Sequence, residues 1–229
     1  LKLNPHEWSG FDISLENARE IFHILGYDNE IIKIDEITNY YKTIIDIDSA
    51  CKYNIFEIKG SIFKKGLYDI IDEKDELLTE LMIKINNAVT EIINIGERNN
   101  IDTFCKLEHT DRDGYHIQIT KKRFKNLQSI NFNKNLNILS QQQGYIKIST
   151  LDLNNYSKNL NDTIIELSQL CLHYYKEFMT SFIKKFNNSF DDIINILSDI
   201  DITSCNAKNA YEYRYCRPSF VHNKNSGFI

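Results

Sequence analysis

Hydrophobic residues recur along this chain in two long helical series separated by a short stretch of period two. From Gly66 to about Asn99 the apolar positions Leu67, Ile71, Leu78, Leu81, Ile85, Ala88, Ile92 and Ile95 fall three or four residues apart, interrupted only where Lys74 takes a seam position. The spacing predicts one amphipathic helix about 50 Å long at 1.5 Å per residue. A second series runs through Leu153, Tyr156, Leu160, Ile164, Leu167, Cys171, Tyr174, Phe178, Phe182, Phe186, Phe190, Ile193 and Leu197, predicting a rod of about 65–70 Å. Each rod has one apolar stripe, so the two must bury their stripes against one another or against shorter neighbours, as an antiparallel coiled-coil-like pair. The aromatic run Tyr174–Phe190 then reads as core packing, and Ile71, Leu78, Ile85, Leu167, Tyr174 and Phe178 as seam residues that supply rigidity.

Between the rods, 104–109 and 115–120 alternate at period two around Asp113-Gly114, the pattern of a β-hairpin. Leu136–Leu139 and Tyr145–Ser149 are further strand candidates, the second followed by Thr150 or Asp152 as a helix N-cap. Ahead of the first rod, Ser14–Leu25 and a segment near Ile34–Ile45 read as shorter helices packed where the rods begin. The expected fold is mainly α, with long antiparallel helices and a small antiparallel β-sheet inserted at their far tip. Prolines occur only at Pro5 and Pro218, so little interrupts the helices.

With 229 residues, 42% of them hydrophobic and 26% charged, the composition is that of a globular chain, which excludes a disordered tail or a collagen-like fibre. No apolar run reaches membrane-spanning length and the first eight residues lack the apolar core of a signal peptide, so a soluble, intracellular protein is expected, with no membrane partner. The five cysteines are widely spaced and include no Cys-x-x-Cys pair, which favours reduced thiols over a disulfide framework or a zinc ribbon. The net charge is −5, but it is segregated: between Thr103 and Thr150 eight cations face three acids, a net of +5 that leaves −10 on the rest.

No phosphate loop, nucleophile elbow or His-Glu-x-x-His helix is present, and the economical reading of the chain is a non-enzyme. Cys105, His109 and His116 lie close together on the predicted hairpin, yet no fourth metal ligand accompanies them. The acidic pairs Asp46/Asp48, Asp191/Asp192 and Asp199/Asp201 read first as helix starts and solvated faces. The cluster Lys121, Lys122, Arg123, Lys125 is different. It follows an amphipathic strand directly, reads as a charged loop at the tip of a long arm facing away from the core, and suits phosphate contacts that position DNA without reading its bases.

Four stretches together resemble the MutS family of mismatch-recognition ATPases, in its helical lever region and inserted clamp. Gly66-Leu-Tyr-Asp-Ile-Ile-Asp-Glu73 is similar to the family's Gly-Tyr-Asp-x-x-Leu-Asp-Glu at the start of the helix leading to the clamp. Gly114-Tyr-His-Ile-Gln-Ile-Thr-Lys121 is similar to the Gly-Tyr-x-Ile-x-Ile/Val-x-Lys/Arg clamp strand. Gly144-Tyr-Ile-Lys-Ile-Ser-Thr150, with Leu153 three residues on, resembles the strand leading into the returning helix. Asp199-Ile-Asp-Ile-Thr-Ser-Cys-Asn-Ala-Lys-Asn-Ala210 and Tyr215-Cys-Arg-Pro-Ser-Phe220 resemble Leu-Asp-x-x-x-Ser-x-Ala-x-x-Ala and Tyr-x-Arg-Pro-x-Phe/Ile, which introduce the ATPase domain.

The resemblance implies three parts: a helical core with the outgoing lever over 1–101, a β clamp over 102–150, and the returning lever with the ATPase lead-in over 151–229. It implies phosphate contacts from Lys121, Lys122, Arg123, Lys125, Lys134 and Lys147, double-stranded DNA as partner, and a second MutS-like subunit. No cofactor belongs to these residues; ATP and Mg belong to the parent protein, a DNA-dependent ATPase in a DNA-containing compartment such as a nucleus or viral factory. The sequence lacks the Phe-x-Glu of the mismatch-reading domain. Gln143-Gly144-Tyr145 also stands where bacterial members commonly have Glu-Arg-Tyr, removing one cation that Lys147 is placed to replace. The rival readings are a helical protein–protein interaction module with a merely solvated basic tip, and a nuclease built on the acidic pairs.

Overall fold

The computed structural model describes residues 3–110, 112–129 and 136–217. After a 3-10 turn at Pro5–Glu7, the N-terminal third forms α1 (Trp8–Leu25), α2 (Asp28–Lys42) and the short α3 (Ile47–Ala50). Both longer helices begin earlier than their apolar pattern indicates. The chain turns out of α1 at Gly26, whose φ of 75° is a left-handed conformation that a Cβ would strain.

The first rod is α4 (Asp69–Arg98), with Asp69 and Asp72 in its first turn, where the helix dipole favours negative charge. The second is α6 (Leu151–Tyr213), 63 residues and so about 95 Å long, much longer than its periodic core alone predicts. The Thr150 hydroxyl accepts the Leu153 N–H at 3.1 Å and caps the start of α6. Ile71, Leu78, Leu81, Ile85 and Ile92 of α4 and Leu153, Leu160 and Leu167 of α6 are buried, and the two helices pack along one another. Lys74 does not break the pair, because its ammonium reaches across to Glu166 on α6.

Lower on α6, Phe178, Phe182, Phe186 and Phe190 are buried with Trp8 and Tyr41 in the main aromatic core, where Trp8 lies 5.0 Å from Tyr41 and 5.7 Å from Phe182 between ring centroids. The most deeply buried stripe shifts here by one residue: Tyr175 is buried, and Tyr174 is partly buried and stacks on Tyr68 at 4.1 Å. Tyr174 thus stays at the seam, packed against the core beside the start of α4, while Tyr175 is the more deeply buried of the two. Along its length α6 packs against β2 and β4, then α4, then α2, so its apolar face must rotate with its partners.

Between 105 and 150 the described residues form a four-stranded antiparallel sheet and one short helix: β1 (Cys105–Thr110), β2 (Gly114–Thr120), α5 (Lys121–Ser129), β3 (Leu136–Gln141) and β4 (Tyr145–Thr150). The strand order is β1-β2-β4-β3, with a bulge in β3 between Ile138 and Ser140. Thr110 pairs with Gly114 across the first hairpin, where Gly114 has φ 64° and lies so close to α6 that an added Cβ would meet the Ser157 hydroxyl at 2.6 Å. The sheet is tied to both rods. The Thr103 hydroxyl donates to the Ile92 carbonyl of α4 at 2.9 Å, and the Tyr115 N–H donates to the Ser157 hydroxyl of α6 at 3.0 Å.

Candidate nucleic-acid interface

The basic cluster is helical, not a loop. Phe124 and Leu127, one turn apart, are buried and dock α5 onto the sheet, where it packs against β2 and β4. Nine residues are too few to hold a helix alone in water, so this docking stabilises it. The same geometry turns Lys121, Lys122 and Lys125 outward: all three are exposed, and none takes part in an ion pair among the described residues. They are exposed point charges suited to phosphate contact, and Lys122 also adds to the field that lowers the Asp102 carboxyl.

Arg123 is placed differently. Its Nε donates to Asp102 Oδ2 at 2.8 Å, and its guanidinium lies 5.3 Å over the Phe104 ring. The Arg123 hydrogen bond is the main cause that holds the Asp102 carboxyl below its usual range, followed by the Phe104 N–H. Arg123 is thus anchored to the sheet's lip, and its charge is partly answered there. Lys147 is also answered, with Nζ 3.8 Å from Asp113 Oδ2 and a side chain only 15% exposed, so it is poorly placed to stand in for the cation missing at 144. Lys134 lies outside the described residues.

The structure adds residues that the linear pattern did not single out. Register places Lys106 opposite Gln118 and Gln118 opposite Lys147, so these three stand side by side across β1, β2 and β4. Ile117, Ile119, Ile146 and Ile148 alternate onto the opposite, buried face. Beside Arg123 a depression of about 380 Å³ is lined by Phe104, Lys106, Gln118, Thr120, Gly144 and Tyr145 among others. The alternation of β1 carries the signal for Lys106, but only the cross-strand register shows what it faces.

The three hairpin residues considered for metal binding are not brought together. His109 pairs with Tyr115 on one face of the sheet, whereas His116 pairs with Glu108 on the other. His116 is fully buried, with Nδ1 3.0 Å from the Gly114 carbonyl and Nε2 3.9 Å from Glu108 Oε2. Among the described residues no cluster of three His, Cys, Asp or Glu side chains has metal-binding geometry. Of the acidic pairs, Asp46 accepts the Ser49 N–H as the N-cap of α3 and Asp192 bonds Lys33 at 2.7 Å, both structural uses. No helix among the described residues is long and apolar enough to cross a membrane.

A mainly α chain with two long paired helices and a small basic-edged sheet at one end is the class of protein these observations define. No protein-family model matches the sequence. The chain is 24% identical over 255 aligned positions to a protein of Acanthamoeba polyphaga mimivirus named as a DNA mismatch repair mutS homolog. That alignment covers 95% of this chain and 22% of the mimivirus protein, so the chain spans about a fifth of its relative's length.

Proposed function

We propose that these residues are the lever and DNA clamp of a MutS-like mismatch repair protein. The levers are α4 and α6 with the N-terminal helices, 1–101 and 151–229, and the clamp is 102–150. The clamp grips the backbone of double-stranded DNA without sequence preference. The paired helices carry the state of that grip toward the ATPase of the parent protein, which supplies ATP and Mg chemistry outside these residues and brings a second MutS-like subunit. The chain itself acts as a binding and transmission element within a DNA-containing compartment.

The observation that carries this reading is the outward row of Lys121, Lys122 and Lys125 on a helix locked to a sheet, which is itself bonded to both rods. Lysines held on a docked helix meet phosphates with little loss of backbone freedom, and their affinity comes from released counterions. The mimivirus relative's name supports the repair context. A protein-docking module is favoured by a different feature, the exposed Ile202, Tyr211, Tyr213 and Tyr215 around the end of α6.

Fluorescence anisotropy against a labelled thirty-base-pair duplex separates the two. With Lys106 and the three α5 lysines engaged, log affinity falls against log salt with a slope of about −3.5. The triple reversal Lys121→Glu, Lys122→Glu, Lys125→Glu abolishes binding at unchanged helicity. Unchanged binding in that variant overturns the assignment, and absence of duplex binding by the unaltered chain at low salt favours the docking module.

A further inference from the structure

We infer that the depression beside Arg123 is a seat for one unstacked base of a single-stranded nucleic acid, distinct from the lysine row that meets duplex backbone. The inference rests on the reading that this end of the molecule binds nucleic acid. Phe104 is 47% exposed, a large ring facing solvent at the lip of the sheet. One acid fixes its surroundings: Asp102 accepts the Phe104 N–H through Oδ1 at 3.1 Å and the Arg123 Nε–H through Oδ2 at 2.8 Å. Ring and guanidinium are thereby held together as a platform before any ligand arrives, which limits the ordering cost of binding.

The platform has the chemistry of base recognition. An aromatic ring and an arginine plane stack on any base, because every base presents a π-face. Arg123 commits Nε to Asp102 and keeps its terminal N–H groups, on a side chain 32% exposed, for acceptors on a base edge or phosphate. Gln118 and Thr120 add neutral donors and acceptors along the floor, and Lys106 adds a cation on the far side. The volume of about 380 Å³ lies in the range of about 300–1,000 Å³ used by small-molecule sites and admits a base with part of its sugar. A paired base keeps its faces inside the stack, so an intact duplex cannot fill this seat. A single strand, whose bases splay freely, can.

Gly144 lines the seat, and nothing lies within 4 Å of the position its Cβ would take. Arg123 belongs both to α5 and to the seat, so a strand whose phosphates follow the lysines is led to the ring.

The test compares a labelled twenty-residue oligothymidine with a duplex of equal length in one buffer, using the whole chain. Phe104→Ala is expected to weaken oligothymidine binding about tenfold and duplex binding by much less, and Phe104→Tyr to preserve both. An oligothymidine carrying one 2-aminopurine is expected to lose fluorescence on binding the unaltered chain and to keep it with Phe104→Ala. If the duplex binds and the oligothymidine does not, or if Phe104→Ala weakens both equally or neither, the base seat is overturned and the clamp reading stands. If neither nucleic acid binds at low salt, the clamp reading falls with it.

Discussion

Arg123 Nε donates to Asp102 Oδ2 at 2.8 Å, joining α5 to the segment that enters β1 from 21 residues earlier in the chain. This pair partly neutralises one cation of the basic cluster and sets one acid beside the rest. Asp102→Asn keeps an acceptor for the Phe104 N–H but removes the negative charge. Duplex affinity in low salt is expected to rise several-fold, with the salt slope steeper by about one. Anisotropy titrations at three salt concentrations check this.

The same pair has an acid signature. Because the Asp102 carboxyl titrates below its unfolded value of about 3.9, its contribution is present above that pH and is lost as pH falls through the depressed folded value. Thermal midpoints of the chain and of Asp102→Asn are expected to differ at neutral pH and to converge as the pH falls below the depressed folded value.

At the other end of the molecule, the Trp8 indole N–H donates to the Tyr175 hydroxyl at 2.9 Å, and that hydroxyl donates to the Leu3 carbonyl at 2.7 Å. Tyr175→Phe leaves a buried indole donor and a carbonyl unsatisfied. The expected loss is about 2 kcal/mol, or roughly 4–8 °C in thermal midpoint, measured by circular dichroism. Tyr174→Phe, at the neighbouring partly buried position, is expected to change the midpoint much less.

Gly96 sits where α4 meets the sheet. A Cβ there would fall 1.8 Å from Thr103 Oγ1 and 2.6 Å from the Ile101 carbonyl. Gly96→Ala is expected to push β1 away from α4, costing about 1–3 kcal/mol, and to speed amide exchange at 101–105 before the rest of the sheet. Hydrogen exchange with peptide-level resolution distinguishes this local loosening from global unfolding.

Gly144→Arg adds a cation at a position with open space around it, at the lip of the basic sheet. Duplex affinity is expected to rise about threefold at low salt and the salt slope to steepen by about one. A Lys147→Gln change, by contrast, removes a charge already paired with Asp113 and is expected to act mainly on hairpin stability.

Thiol titration reads the core. Burial pushes Cys105 up to about 11 and Cys171 up to about 12, so both remain protonated and inaccessible at pH 8. Cys51, Cys205 and Cys216 are exposed. Three thiols are expected to react with Ellman's reagent in the native chain, and five in denaturant.

Much of the architecture can be read from residue order alone, because it rests on local periodicity. Steps of three and four define α4 and most of α6, and alternation around Asp113-Gly114 defines the first hairpin. Both patterns are set by backbone geometry and need no knowledge of partners. The basic segment was visible for the same reason, as a run of charges. Its conformation was not: α5 has only Phe124 and Leu127 to mark an apolar face, too few to show a period.

Whether each cation is free was equally hidden, because the answer lies in residues distant in sequence. Asp102 meets Arg123, and Asp113 meets Lys147. Lys106 joins the interface only through the pairing of β1 with β2 and of β2 with β4. The residue order determined which segments are rods and strands, and where positive charge concentrates. The tertiary structure decided which three lysines face outward, which two cations are held, and that Tyr175 lies deeper in the core than Tyr174. Periodicity is a property of neighbours along the chain, whereas burial and charge pairing depend on which surfaces come within a few ångströms after folding.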